Sequence, residues 1–201
     1  MLEKGKFYKK KINKKITLYI LFFYLFSTNL SYSNNQQKLV KNLEEIKTLS
    51  FNFKQYIGDK VENGTCYIKY SFLLKCNYNN IKKKIIISNG KTVAIIKKKY
   101  KKIYRYPLKA TALYFILDKK KILDSIRNGK SNSKNLDFLE YSLQIKKKNK
   151  FTIFFDKKSL NLIGWQTKDR YANDVIVSIN NLKINIPIDK KKFLIPKEEE
   201  L

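Results

Sequence analysis

The chain has 201 residues, which fits one domain plus an appendage, and its 44 Lys and Arg against 16 Asp and Glu give a net charge of +28. It contains no histidine, which excludes Ser–His–Asp and Cys–His catalysis and most zinc and iron sites. Only Arg105, Arg127 and Arg170 are arginines, so the basic charge lacks the side chain that reads phosphates and bases, and no nucleic-acid partner is expected.

In chain order, Lys4 to Lys15 form a basic stretch with seven lysines, followed by the apolar run ITLYILFFYLFSTNL. Ser31-Tyr32-Ser33 then offers small residues at the positions a signal peptidase reads. These features predict a secretory signal peptide over residues 1–33, cut before Asn34, with export out of the cytoplasm. No cysteine stands at the cut, so a lipid-anchored N-terminus is not expected. The remaining lysines lie in short runs at the ends of predicted elements. There they protect sheet edges and favour an anionic membrane surface.

Residues 34–201 read as a single domain. Asn34–Lys47 is an amphipathic helix, with Leu39, Val40, Leu43 and Ile46 on one stripe. Ser50–Ile57 alternates as a strand, with Phe51, Phe53, Gln55 and Ile57 on one face. GDKVENG reads as a loop. From Gly64 to Pro107 the chain reads as consecutive hairpins, and Asn89-Gly90 suits the two left-handed positions of a tight turn.

Cys66 and Cys76 lie equally far from Ser71, so a hairpin turning there sets them opposite each other. An exported chain meets an oxidising compartment, and a disulfide is expected; the alternative is two small core residues that never pair. Lys109–Leu117, with Leu113, Ile116 and Leu117 spaced as on a helix, and the following DKKKILDSIRNG predict one or two short helices ending at Gly129. Strands resume at FLEYSLQI, FTIFF, LNLIGWQ and VIVSINNLKI, and the tail PIDKKKFLIPKEEEL is irregular.

No glycine-rich phosphate loop, converging carboxylate pair or cofactor motif is present, so no enzyme and no cofactor are expected. The fold expected is mainly β with a few helices. The many aromatic residues, Trp165 among them, either fill a packed β core or line a curved sheet whose concave face is roofed by the two helical segments. Such a cavity would gain about 0.8 kcal/mol for each CH₂ of a buried acyl chain. Its candidate lining residues are Leu39, Leu43, Ile46, Phe51, Phe53, Leu113, Ile116, Leu117 and Trp165.

The ordered series of segments resembles a known family. It runs from Thr48-Leu49-Ser50-Phe51-Asn52-Phe53-Lys54-Gln55 through Gly64, Lys69-Tyr70-Ser71 and Lys75-Cys76-Asn77-Tyr78. It continues with Ser88-Asn89-Gly90-Lys91, Tyr106-Pro107-Leu108, Thr111–Leu117, Leu162-Ile163-Gly164-Trp165, Asp169, Asn185-Ile186 and Phe193. This series resembles the LolA family of periplasmic lipoprotein carriers over nearly the whole of residues 34–201. The resemblance implies an incomplete antiparallel β-barrel with a helical lid over a hydrophobic cavity. It also implies a monomer that takes acylated lipoproteins from an inner-membrane ABC transporter and passes them to an outer-membrane acceptor.

Where the family carries an Arg-Pro that helps hold the lid, this chain has Tyr70-Ser71. Lys69, Tyr70 and Lys75 are the residues that the resemblance places at the lid. A periplasmic adaptor with a filled core, and the acceptor of the same pathway, are the alternative readings.

Overall fold

Phe51 and Phe53 alternating with Asn52 and Lys54 force a strand with one buried and one wet face, and this strand lies at the middle of the sheet. In the computed structural model, residues 30–131, 137–146, 149–169 and 171–201 are described. Residues 1–29, with the basic stretch and all but the last residue of the apolar run, lie outside them, so the expected signal segment is not tested. The chain divides into two units, Met1–Gln37 and Lys38–Leu201, and all the strands described belong to the second.

The elements are α1 (Leu30–Glu45), β1 (Thr48–Ile57), β2 (Lys60–Lys69), β3 (Leu73–Tyr78), β4 (Lys84–Asn89), β5 (Thr92–Lys97) and β6 (Lys102–Pro107). They continue with α2 (Leu113–Leu117), α3 (Lys119–Asn128), β7 (Phe138–Lys146), β8 (Asn149–Asp156), β9 (Leu162–Lys168) and β10 (Asp174–Ile184). The ten strands form one antiparallel sheet in the order β6-β5-β4-β3-β2-β1-β10-β9-β8-β7. β6 and β7 are its two edges and do not pair, so the barrel is incomplete. No helix among the described residues is long and apolar enough to cross a membrane.

The concave face carries the main core. Phe51, Ile68, Leu74, Phe155 and Trp165 from the strands meet Leu39 and Leu43 of α1, Ile116 and Leu117 of α2, and Ile122 and Ile126 of α3. A second, small core lies on the opposite face of β4 to β6. Ile87, Ala94, Ile96 and Ile103 pack there against Ile195 and Leu201 of the C-terminal tail. The tail also guards the β6 edge: Glu198 accepts the Ile103 N–H at 2.8 Å, and Arg105 donates to the Pro196 carbonyl at 3.2 Å.

Two turn readings need correction. GDKVENG is not a loop, because the chain reverses in Gly58-Asp59 alone and β2 starts at Lys60. Gly64 belongs to the strand, and its lack of a side chain answers a close approach of β3: a methyl there would lie 2.0 Å from the Asn77 carbonyl oxygen. At Asn89-Gly90 only Gly90 is left-handed, with φ 96°. Asn89 ends β4 and accepts the N–H groups of Lys91 and Thr92 at 3.1 and 2.9 Å, so its side chain closes the turn from outside.

The second hairpin, β2–β3, turns at residues 70–72 and pairs Cys66 directly with Cys76. The two are joined in a disulfide, and no free cysteine remains. Bridging ten residues of sequence constrains the unfolded chain. The double variant Cys66→Ser/Cys76→Ser should lose about 2–3 kcal/mol in urea unfolding, and thiol titration of denatured, unreduced parent protein should find none.

Candidate functional site

The concave face is not filled throughout. Between the lid and the strands lies a cavity of about 270 Å³, just below the range of about 300–1,000 Å³ where ligand pockets fall. Its walls are the inward residues of β1 to β4 and β8 to β10, closed on one side by Ala112 and by Leu113 at the start of α2. Phe53, Leu74, Phe151, Trp165 and Val177 make it apolar, and the Cys66–Cys76 disulfide forms part of its wall.

Toward the β9–β10 turn the wall becomes polar, ending in Thr167, Lys168 and Asp169. The charges there are occupied. Lys168 Nζ lies 3.0 Å from Asp174 Oδ1, while Asp169 Oδ1 accepts the N–H groups of Tyr171 and Asn173 at 2.8 and 3.0 Å.

Aromatic contacts fix the lid and the wall. Tyr114 of α2 stacks on Phe72 of the β2–β3 turn at 5.6 Å between ring centroids, and Phe115 stacks on Phe151 at 6.1 Å. Edge-to-face pairs set the wall itself: Phe51 with Trp165 at 6.2 Å and Phe53 with Tyr78 at 4.9 Å.

The opposite wall is braced by polar groups. Tyr78 donates its hydroxyl to Gln55 Oε1 at 2.9 Å, and Lys84 Nζ sits 3.7 Å from the Tyr78 ring centroid. Lys84 also reaches Glu62 Oε2 at 2.6 Å. Burial alone would raise the Glu62 carboxyl, but the Lys84 hydrogen bond and the charges of Lys84 and Lys60 hold it below its ordinary value of 4.5. A carboxyl with a depressed folded pKa stabilises above its unfolded pKa and loses that contribution as pH falls through the folded one. The stability gap between the parent and Glu62→Gln should therefore be fully open above about pH 5 and close below about pH 4.5. Urea titrations across that range check it.

Among the nine residues expected to line a cavity, Phe53, Leu113 and Trp165 do so. Leu39, Leu43, Ile46, Phe51, Ile116 and Leu117 are buried in the packed core around it and are not among its lining residues. The structure adds Gln55, Tyr78, Thr167, Val175 and Val177, which sequence reasoning passed over. The period-2 pattern of β9 and β10 was the available signal. It puts Thr167 on the face of Trp165, and Val175 on that of Val177.

The residues expected to touch the lid divide. Lys69 donates to the Ile188 carbonyl at 2.9 Å and so ties β2 to the segment after β10, away from the lid. Lys75 is on the outward face, its pKa lowered by burial and by the charges of Lys192 and Lys98. Tyr70 lies under the lid, with Lys119 Nζ 5.8 Å from its ring centroid.

Lys119, at the start of α3, ties that helix to the end of α1. It donates to the Glu44 and Ile46 carbonyls at 2.6 and 2.8 Å. These belong to the C-terminal end of α1, where unpaired carbonyls and the negative end of the helix dipole favour a cation. Arg127 adds an ion pair to Glu44.

A model of the outer membrane lipoprotein carrier protein LolA family matches residues 44–196. Among curated proteins no match is found. Solved structures resemble the fold at low identity. A LolA superfamily protein from Nitrosomonas europaea is 8% identical over 80% of this chain and 97% of its own, with a TM-score of 0.42. A DUF1329 family protein from Desulfovibrio piger is 10% identical over 81% and 97%, at 0.44. The Mycobacterium tuberculosis lipoprotein LppX is 7% identical over 77% and 95%, at 0.39.

Proposed function

The chain belongs to the family of the outer membrane lipoprotein carrier protein LolA, and from that premise we propose that it shuttles lipoproteins across the periplasm with an acyl chain held in its cavity. One observation carries the reading: an apolar cavity of about 270 Å³ between an unclosed sheet and a short lid helix. Each methylene that leaves water for such a site contributes about 0.8 kcal/mol, so a few of them hold a chain reversibly. In this reading, a longer stretch of chain enters as α2 moves outward.

In this reading, residues 1–33 direct export and are removed, and residues 34–201 work as a monomer. An inner-membrane ABC transporter loads the cavity and an outer-membrane acceptor empties it. No bond is made or broken, so the protein is a carrier and not an enzyme. The lysines scattered over its surface keep it near anionic membrane faces at both ends of the journey.

Native mass spectrometry of protein recovered from cell envelopes, then incubated with a synthetic triacylated lipopeptide, tests this. A complex of one chain with one lipopeptide is expected. The bare chain alone at saturating lipopeptide would overturn the carrier reading.

A further inference from the structure

Among the described residues, Thr167 Oγ1 is the one buried side-chain oxygen or nitrogen without a hydrogen-bond partner. Thr167 is only 7% exposed and lines the cavity beside its polar end. A buried hydroxyl left unpaired is costly, so a group that satisfies it is worth looking for. The protein does not supply one. Its cross-strand neighbour is Val175, which in turn pairs with Ile57, so this row of the sheet is apolar.

We propose that the cavity takes an acyl ester or acyl amide whose carbonyl oxygen accepts a hydrogen bond from the Thr167 hydroxyl. The inference rests on the carrier reading and adds an orientation to it. The carbonyl stops at Thr167 near the β9–β10 turn, and the hydrocarbon runs inward past Trp165 toward the disulfide. A neutral carbonyl suits the site better than a fatty-acid carboxylate. The neighbouring Lys168 already pairs with Asp174, and Asp169 is engaged by backbone N–H groups.

Three probes of equal chain length test this by displacement of a fluorescent apolar dye: 1-palmitoylglycerol, N-palmitoylethanolamine and the ether 1-O-hexadecylglycerol. The first two carry the carbonyl of the two linkages found in acylated proteins and lipids, and the ether carries none. In Thr167→Val the ester or the amide, whichever the parent prefers over the ether, should bind about three- to tenfold more weakly, with ether binding unchanged. Thr167→Ser should restore the preference. The ligand-free Thr167→Val protein should melt at a higher temperature, because its unpaired hydroxyl is gone. An equal loss for ester, amide and ether overturns the inference, and so does a lower melting temperature without ligand. If none of the three displaces the dye from the parent protein, the carrier reading falls, and this inference with it. If all three bind equally well, only this inference falls.

Discussion

If the cavity takes an acyl chain, Leu113→Glu should weaken lipopeptide loading about a hundredfold and leave the fold standing. Leu113 begins α2, is partly exposed, and closes the cavity against Phe53 and Trp165. A carboxylate there keeps its solvation while the cavity is empty. With an acyl chain in place it would be buried without a partner, at a cost of about 3 kcal/mol or more, roughly a hundredfold in affinity. Ile116→Glu, one turn on, behaves differently. Ile116 is fully buried in the main core and does not line the cavity, so a charge there unfolds the protein rather than emptying it. Thermal melts and native mass spectrometry of the two variants separate the outcomes. Normal loading of Leu113→Glu would mean that no chain lies beneath α2.

Gly64→Ala costs the fold about 3 kcal/mol. Its methyl would meet the Asn77 carbonyl oxygen at 2.0 Å and Phe53 Cε1 at 2.9 Å, and the first of these is backbone that cannot rotate away. Either β3 leaves β2, or Phe53 swings into the cavity it lines. Gly58→Ala is the matched control. A methyl there has nothing within 4 Å, but its φ of 54° penalises any side chain, for about 1 kcal/mol. Urea unfolding of the two variants should show a gap of at least about 1 kcal/mol. A Gly64→Ala protein as stable as Gly58→Ala would mean that the strands have room to part.

These two glycines also show what the sequence could convey. Gly58-Asp59 and Gly64 stand in one polar stretch and look alike by composition. The first permits a turn, the second a close strand contact, and only the neighbouring strand tells them apart. Local signals worked well: the symmetry of Cys66 and Cys76 about Ser71 located a hairpin and its disulfide, and the alternation of β1 picked out Phe53. The cavity was harder, because its wall joins β1 to β10 and β9, segments far apart in the chain. Hydrophobic helical positions such as Ile116 and Leu39 are buried whether a cavity exists or not, so pattern alone could not separate core from lining. Lys119 escaped notice for a similar reason. It stands in a run of three lysines, and only the end of α1 makes it different from Lys120 and Lys121.

The pairing of β1 with β10 has a consequence in time. Ile57 of β1 meets Val175 of β10, so a strand finished early has its second neighbour only after more than a hundred further residues exist. That imposes a wait on the strand, wherever the chain folds. Throughout it, one side of the central strand offers unpaired backbone groups to any other extended chain. The half from β1 to β6 is built of neighbouring hairpins and can zip as it emerges, while the seam must close last and over a long loop. The molecule's most exposed moment is therefore not in its finished state but just before its last strand arrives.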